Sequence, residues 1–143
     1  MWANIISWIW NAISVDRFVI SSEMSNFTKR NHILGIAGEE IASGLLFQKG
    51  HLILYKRYKR MNEGEIDIIS IVGNTLVFTE VKTRQTRRKG LESIKSSQQK
   101  RIEKTALRFI QEHPQYSNCN MRFDVVICVR CQKPYHLENA WIS

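Results

Sequence analysis

The sequence predicts a single α/β domain, on three observations. An apolar pattern at helical spacing precedes three strand-like runs, two of those runs flank a Gly-Asn dipeptide, and a second helical pattern separates them from a final apolar strand. A chain of 143 residues buries one core and not two. With 43% hydrophobic and 24% charged residues, 7 Gly and 2 Pro, it has the composition of a globule and not of a disordered or fibrous chain. No repeat or low-complexity linker interrupts it after residue 30, so residues 31–143 read as one domain and 1–30 as an N-terminal extension.

In chain order, residues 2–15 (WANIISWIWNAISV) are rich in Trp and Ile but lack a basic start, a cleavage site and the length to span a bilayer. Read as a helix, Ile5, Ile6, Ile9 and Ile13 share a face that suits a membrane interface or a partner; the competing reading starts translation at Met24 and leaves the segment without a role. Ala37, Ile41, Ala42, Leu45 and Leu46 predict a helix over 35–49, ended at Gly50. Residues 51–60 predict a strand that turns basic as it leaves the core, and 64–72 with 75–83 predict a hairpin closed by Gly73-Asn74. A basic loop containing Gly90 leads to a helix over 92–113, with Ile94, Ile102, Ala106, Phe109 and Ile110 inward and Pro114 ending it. A strand over 122–129 and a short segment near Trp141 complete the order helix, three strands, helix, strand.

Lys and Arg outnumber Asp and Glu 21 to 13, a net charge of +8 that points to a polyanion, nucleic acid first and an anionic membrane surface second. Cys119, Cys128 and Cys131 are an odd set outside any secretory context, which fits a reducing cytoplasm. Cys128, Cys131 and His136 have the spacing of half a zinc site, but a full site needs four ligands; Cys128 reads better as a small apolar strand residue.

Pairing the hairpin outward from Val72 and Thr75 sets Asp67 opposite Glu80 and Glu65 opposite Lys82. Alternation then puts Glu65, Asp67, Ile69 and Ile71 on one face with Leu76, Phe78, Glu80 and Lys82, and Ile66, Ile68, Ser70 and Val72 on the other. Both faces are mainly apolar, so both are expected to be covered, with the charges at the rim of a core. Opposed carboxylates repel, so either a cation offsets them or one stays protonated. Magnesium suits such a place, taking one or two carboxylates, several waters and a phosphate oxygen. Lys82 beside it would orient water or stabilise the charge developing on a phosphodiester in hydrolysis. Glu65 either orients that group or is a plain outward residue, and a salt-bridge cluster at a sheet edge is the simpler reading of the set. Asp124 within an apolar strand is expected to pair structurally with Arg122 or a neighbouring base.

Asp67 followed after twelve residues by Glu80-Val81-Lys82, with an upstream helix bearing Glu39, resembles the PD-(D/E)XK nuclease superfamily and its archaeal Holliday junction resolvases. More closely, residues from about Asn31 to Trp141 resemble the bacterial YraN family. The matching pieces are GIAGEEIA (35–42), Arg57 and Arg60, GEIDII (64–69), LVFTEVKTR (76–84), Gln99 and Ala106, RFDVV (122–126) and NAW (139–141). Tyr58 stands where that family commonly has Asn, and Gln98 where it has Lys. The resemblance implies a restriction-endonuclease-like core, a mixed sheet flanked by helices. It also implies magnesium or manganese on Asp67 and Glu80, a catalytic Lys82, and Glu39, preferred over Glu40 for lying nearer the apolar stripe, supporting the metal or its water. A homodimer is implied only by analogy with the resolvases.

Nine Lys or Arg fall within residues 82–104 against Glu92 and Glu103, and Lys56, Arg57, Lys59 and Arg60 precede the acidic strand. Arg57, Arg60, Arg84, Arg87, Arg88, Lys89 and Gln99 are therefore the candidate contacts to a nucleic-acid backbone. With no base-reading motif, shape or backbone recognition is expected. The expected activity is metal-dependent hydrolysis of DNA, on branched or damaged substrates; the alternative is a binding module that kept the fold without turnover.

Overall fold

The computed structural model describes residues 23–142. The readings attached to residues 2–15 lie outside them. Helix α1 (Glu23–Gln48) leads into strands β1 (Leu52–Arg60), β2 (Gly64–Val72) and β3 (Thr75–Thr83). Helices α2 (Arg87–Glu92) and α3 (Ser96–Glu112) follow, then a single 3₁₀ turn (Pro114–Tyr116) and strands β4 (Asn120–Cys128) and β5 (Tyr135–Trp141). The five strands form one mixed sheet in the order β1-β2-β3-β4-β5, with β3 and β4 parallel and the other neighbours antiparallel.

The sheet is covered on both faces. On one, Ile102, Ala106 and Phe109 of α3 pack with Tyr58, Ile69, Leu76, Phe78 and Phe123. On the other, Ile41, Ala42, Leu45 and Leu46 of α1 pack with Ile68, Val126 and Cys128. Burying apolar area at about 25 cal/mol per Å² on both sides is the main driving force for such a three-layer arrangement. Among the described residues, no helix is long and apolar enough to cross a membrane.

The hairpin forms as its sequence predicts, with Val72 paired to Thr75 and Gly73 at φ +56° in the turn. Other expectations require correction. Helix α1 begins twelve residues before the predicted start at 35, because Thr28–Ile33 are exposed and offer no apolar stripe to read. The predicted helix over 92–113 is two helices. Thr86 caps the first by accepting the Lys89 amide at 3.2 Å, and Ser93 Oγ donates to the Gly90 carbonyl at 2.7 Å as the chain turns. Ile94 therefore sits between the helices, packed against Val125, Ile127 and Val129. The short segment near Trp141 is a full edge strand paired with β4.

Candidate active site

β2 and β3 carry the acidic residues, and their pairing fails where the charges begin. The ladder runs from Val72 and Thr75 to Ile68 and Thr79 and ends one pair short of Asp67 and Glu80. On the other side, β1 pairs Lys56 with Ile68 and Tyr58 with Ile66, leaving Arg57 and Asp67 between them, with Arg57 at φ +53°. Asp67 instead uses its side chain, Oδ2 accepting the Val81 amide at 2.7 Å. This interruption breaks the side-chain alternation. Ile66 joins Ile69 and Phe78 on the α3 face while Ile68 faces α1, whereas strict alternation predicts Ile66 and Ile68 together.

Glu80 and Lys82, two apart on β3, share a face. Lys82 Nζ lies 2.6 Å from Glu80 Oε1, with both side chains largely covered. Gln98, in the first turn of α3, donates from Nε2 to the same oxygen at 2.5 Å. Glu39 is buried under α1 and its carboxylate meets Arg57 Nε at 3.0 Å, whereas Glu40 points outward to Lys56. Glu65 is drawn to Lys59 at 3.1 Å, with Arg57 at 3.9 Å, so the expected meeting of Glu65 with Lys82 gives way to the Glu80–Lys82 pair. Gly38 permits the close seating of α1, since a Cβ there would lie 2.3 Å from Thr83 Oγ1.

Burial raises the Asp67 carboxyl to about 7, and the neighbouring Glu80 charge adds to the effect; the Val81 amide and Lys82 oppose it. Burial also raises Glu39, against the lowering influence of Arg57. The two carboxylates of Asp67 and Glu80 thus strain against each other electrostatically, the condition a divalent cation relieves. Among the described residues no three His, Cys, Asp or Glu side chains gather as an ion site. Glu39 is engaged by Arg57, and the fit is to an ion that needs only one or two carboxylates, as magnesium does.

Strands β1 and β3 run in the same sense, so the end of β1, the start of β2 and the ends of β3 and β4 lie along one edge of the sheet. Both basic tracts therefore flank the acidic residues. Arg84, Arg88 and Lys89 are exposed there; Arg88 meets Glu92 at 2.7 Å and Lys89 donates to Gln85. Arg87 lies 4.0 Å over the Tyr135 ring, and Gln99 is half-buried beside Gln98. Arg60 is held away from this group. Its guanidinium pairs with Glu112 and its Nε donates to the Tyr58 hydroxyl at 3.0 Å. Tyr58 in turn donates to Glu112 at 2.7 Å and packs into the core.

Asp124 has the structural role expected of it. Fully buried, which by itself would raise its carboxyl, it accepts two bonds from Arg122 at 2.9 Å, the Asn139 amide at 2.9 Å and His136 Nε2 at 2.8 Å, and together these hold the carboxyl below the usual range. His136 is thereby tied to Asp124 and, through Nδ1, to Lys49. Cys128 is a buried strand residue, Cys131 is exposed, and the three cysteines are free thiols. The sequence reading missed Gln98 as a site residue. Its place one helical turn before Ile102, on the stripe that faces Phe78, was the available signal.

The family model described as "Uncharacterised protein family UPF0102" matches residues 38–128, from the site glycine of α1 to the end of β4. A UPF0102 protein of Mesorhizobium japonicum is 37% identical over 107 residues, covering 75% of this chain and 85% of its own. Another, of Paramagnetospirillum magneticum, is 34% identical over 110 residues with the same coverage. A third, of Caldicellulosiruptor saccharolyticus, is 42% identical over 95 residues, 65% of this chain and 79% of its own. The chain belongs to UPF0102, the YraN family.

Proposed function

We propose that the chain is a magnesium-dependent endonuclease with a restriction-endonuclease-like core, hydrolysing DNA phosphodiester bonds at branched or damaged positions. The observation that carries this reading is the interrupted ladder at Asp67. It sets a carboxylate, anchored through Oδ2 to the Val81 amide, near Glu80 and Lys82 at the end of the sheet flanked by both basic tracts. Asp67 and Glu80 would hold the ion, with Glu39 supporting its water shell. Bound magnesium supplies Lewis-acid stabilisation of a scissile phosphate. Lys82 Nζ, 2.6 Å from Glu80 Oε1, would orient water or meet charge developing on the phosphate oxygens. Arg84, Arg87, Arg88 and Lys89 would hold the backbone without reading bases. Three free thiols and the basic balance suit a cytoplasmic, DNA-facing protein.

The test is cleavage of duplex, single-stranded, flapped and four-way-junction DNA with magnesium or manganese, using wild type, Asp67→Ala and Lys82→Ala. Cleavage by wild type alone, with binding kept in both variants, supports the reading. The exposed Arg84, Arg88 and Lys89 would serve a non-catalytic binding module equally well. Salt-sensitive binding with no cleavage of any substrate would select that alternative.

A further inference from the structure

We propose that Gln98 is a positioning residue for Glu80, holding its carboxylate in one orientation for the ion; this rests on the metal-dependent reading above. Gln98 Nε2 and Lys82 Nζ both reach Glu80 Oε1, at 2.5 Å and 2.6 Å. Among the described residues neither donates to Oε2. One oxygen is held from two directions.

The clamp is rigid for reasons set by the fold. Glu80 lies two residues beyond Phe78 on the same face of β3. Phe78 packs in the cluster that contains Ile69, Ile102, Ala106 and Phe109, so the core seats α3 over β2 and β3, and its first turn reaches Glu80. The Gln98 and Gln99 amides both donate to the Lys95 carbonyl, at 2.9 Å and 3.0 Å, which fixes that turn. The amide suits the task chemically. It donates without carrying charge, so a cation beside Glu80 would not repel it, whereas it would repel the Lys82 ammonium.

Groups that orient a metal-binding carboxylate typically change affinity by 10- to 100-fold when removed. Titration of the full chain with magnesium alone, by calorimetry, should give about tenfold weaker binding in Gln98→Ala. Melting temperature and metal-free DNA binding should stay at wild-type values. Asp67→Asn serves as the reference and should abolish binding. Unchanged affinity in Gln98→Ala, with binding lost in Asp67→Asn, overturns the role of Gln98 while leaving the site intact. A lower melting temperature at unchanged affinity also overturns it, making Gln98 a packing contact. Absence of magnesium binding by the wild-type chain overturns the metal reading itself, and the role of Gln98 with it.

Discussion

Asp67 of β2 accepts the backbone amide of Val81 of β3 at 2.7 Å, so a side chain takes over just where the main-chain ladder stops. The bond keeps a carboxylate against Glu80 that burial and repulsion would otherwise expel.

That position makes Asp67 a liability in the metal-free protein. Its carboxyl is raised from 3.8 to about 7, so its favourable contribution is complete below about pH 4 and is lost as pH rises through 7. Asp67→Asn can still accept the Val81 amide and has no charge to lose. With Asp67 partly exposed, we expect Asn to stabilise the metal-free chain by about 1 to 2 kcal/mol at pH 8, and by almost nothing near pH 4. Denaturant melts at the two pH values measure the difference. Wild type alone should gain stability from magnesium, and more at pH 8 than at pH 6, because ion and proton compete for the same carboxylate.

How much of this was legible from residues alone depended on whether a local pattern governed the outcome. The β2–β3 hairpin was readable because a two-residue turn fixes register, and the pairs from Val72–Thr75 to Ile68–Thr79 follow from it. The same rule failed at Asp67, where a side chain captures a main-chain donor and Ile66 changes face; alternation carries no term for that. Glu39 could be preferred to Glu40 from the apolar stripe of α1, while its partner Arg57 depended on strand β1 lying alongside. Gln98 could be placed on the inward stripe of α3 from its spacing to Ile102, but its bond to Glu80 joins helix and strand, and no local pattern gives that partner. Strand β5 was read only as a segment near Trp141, since its half-buried residues form an edge whose partner is β4.

Gly90 lets α2 lie directly on β4. A Cβ there would stand 2.5 Å from Ile127 Cγ2 and 2.9 Å from its Cδ1. Gly90→Ala gains roughly 1 kcal/mol of helix propensity but forces Ile127 to move in a packed core, a cost of about 1 to 3 kcal/mol or more. We expect net destabilisation of up to about 2 kcal/mol. Chemical denaturation of Gly90→Ala, Ile127→Ala and the double variant forms the check. The double variant should be more stable than the sum of the single losses, and strict additivity would remove the Gly90–Ile127 approach from the explanation.

Asp124→Ala strips partners from Arg122, His136 and the Asn139 amide at once. Removing one member of a buried charged network costs about 3 to 5 kcal/mol, so the variant should melt far below wild type or fail to fold at 37 °C. Asp124→Asn keeps the shape and some of the acceptors and should lose less. The carboxyl of Asp124 is lowered from 3.8, so its stabilisation is in place above about pH 4 and disappears as pH falls through its folded value. Acid titration of wild type should therefore loosen β5 from β4 early, and amide exchange at 135–141 during acidification would register it.

Arg60 and the residues after β3 should separate stability from binding. Arg84 and Lys89 are exposed, and their hydrogen bonds are to the Thr83 carbonyl and to Gln85, so their charges are available to phosphates. The Arg84→Ala, Lys89→Ala double variant should weaken DNA binding of every structure alike. It should also reduce the salt slope of log affinity by about 2, at about 0.9 for each phosphate no longer neutralised, with little change in melting temperature. Arg60 is spent on Glu112 and on the Tyr58 ring, 5.2 Å away. Arg60→Ala should therefore lower stability, by about 1 kcal/mol for a partly exposed pair, and leave the salt slope where it was. Fluorescence anisotropy across a salt series, run beside thermal melts, tests both halves. A reduced slope in Arg60→Ala would return that residue to the DNA surface and require the Glu112 pair to open on binding.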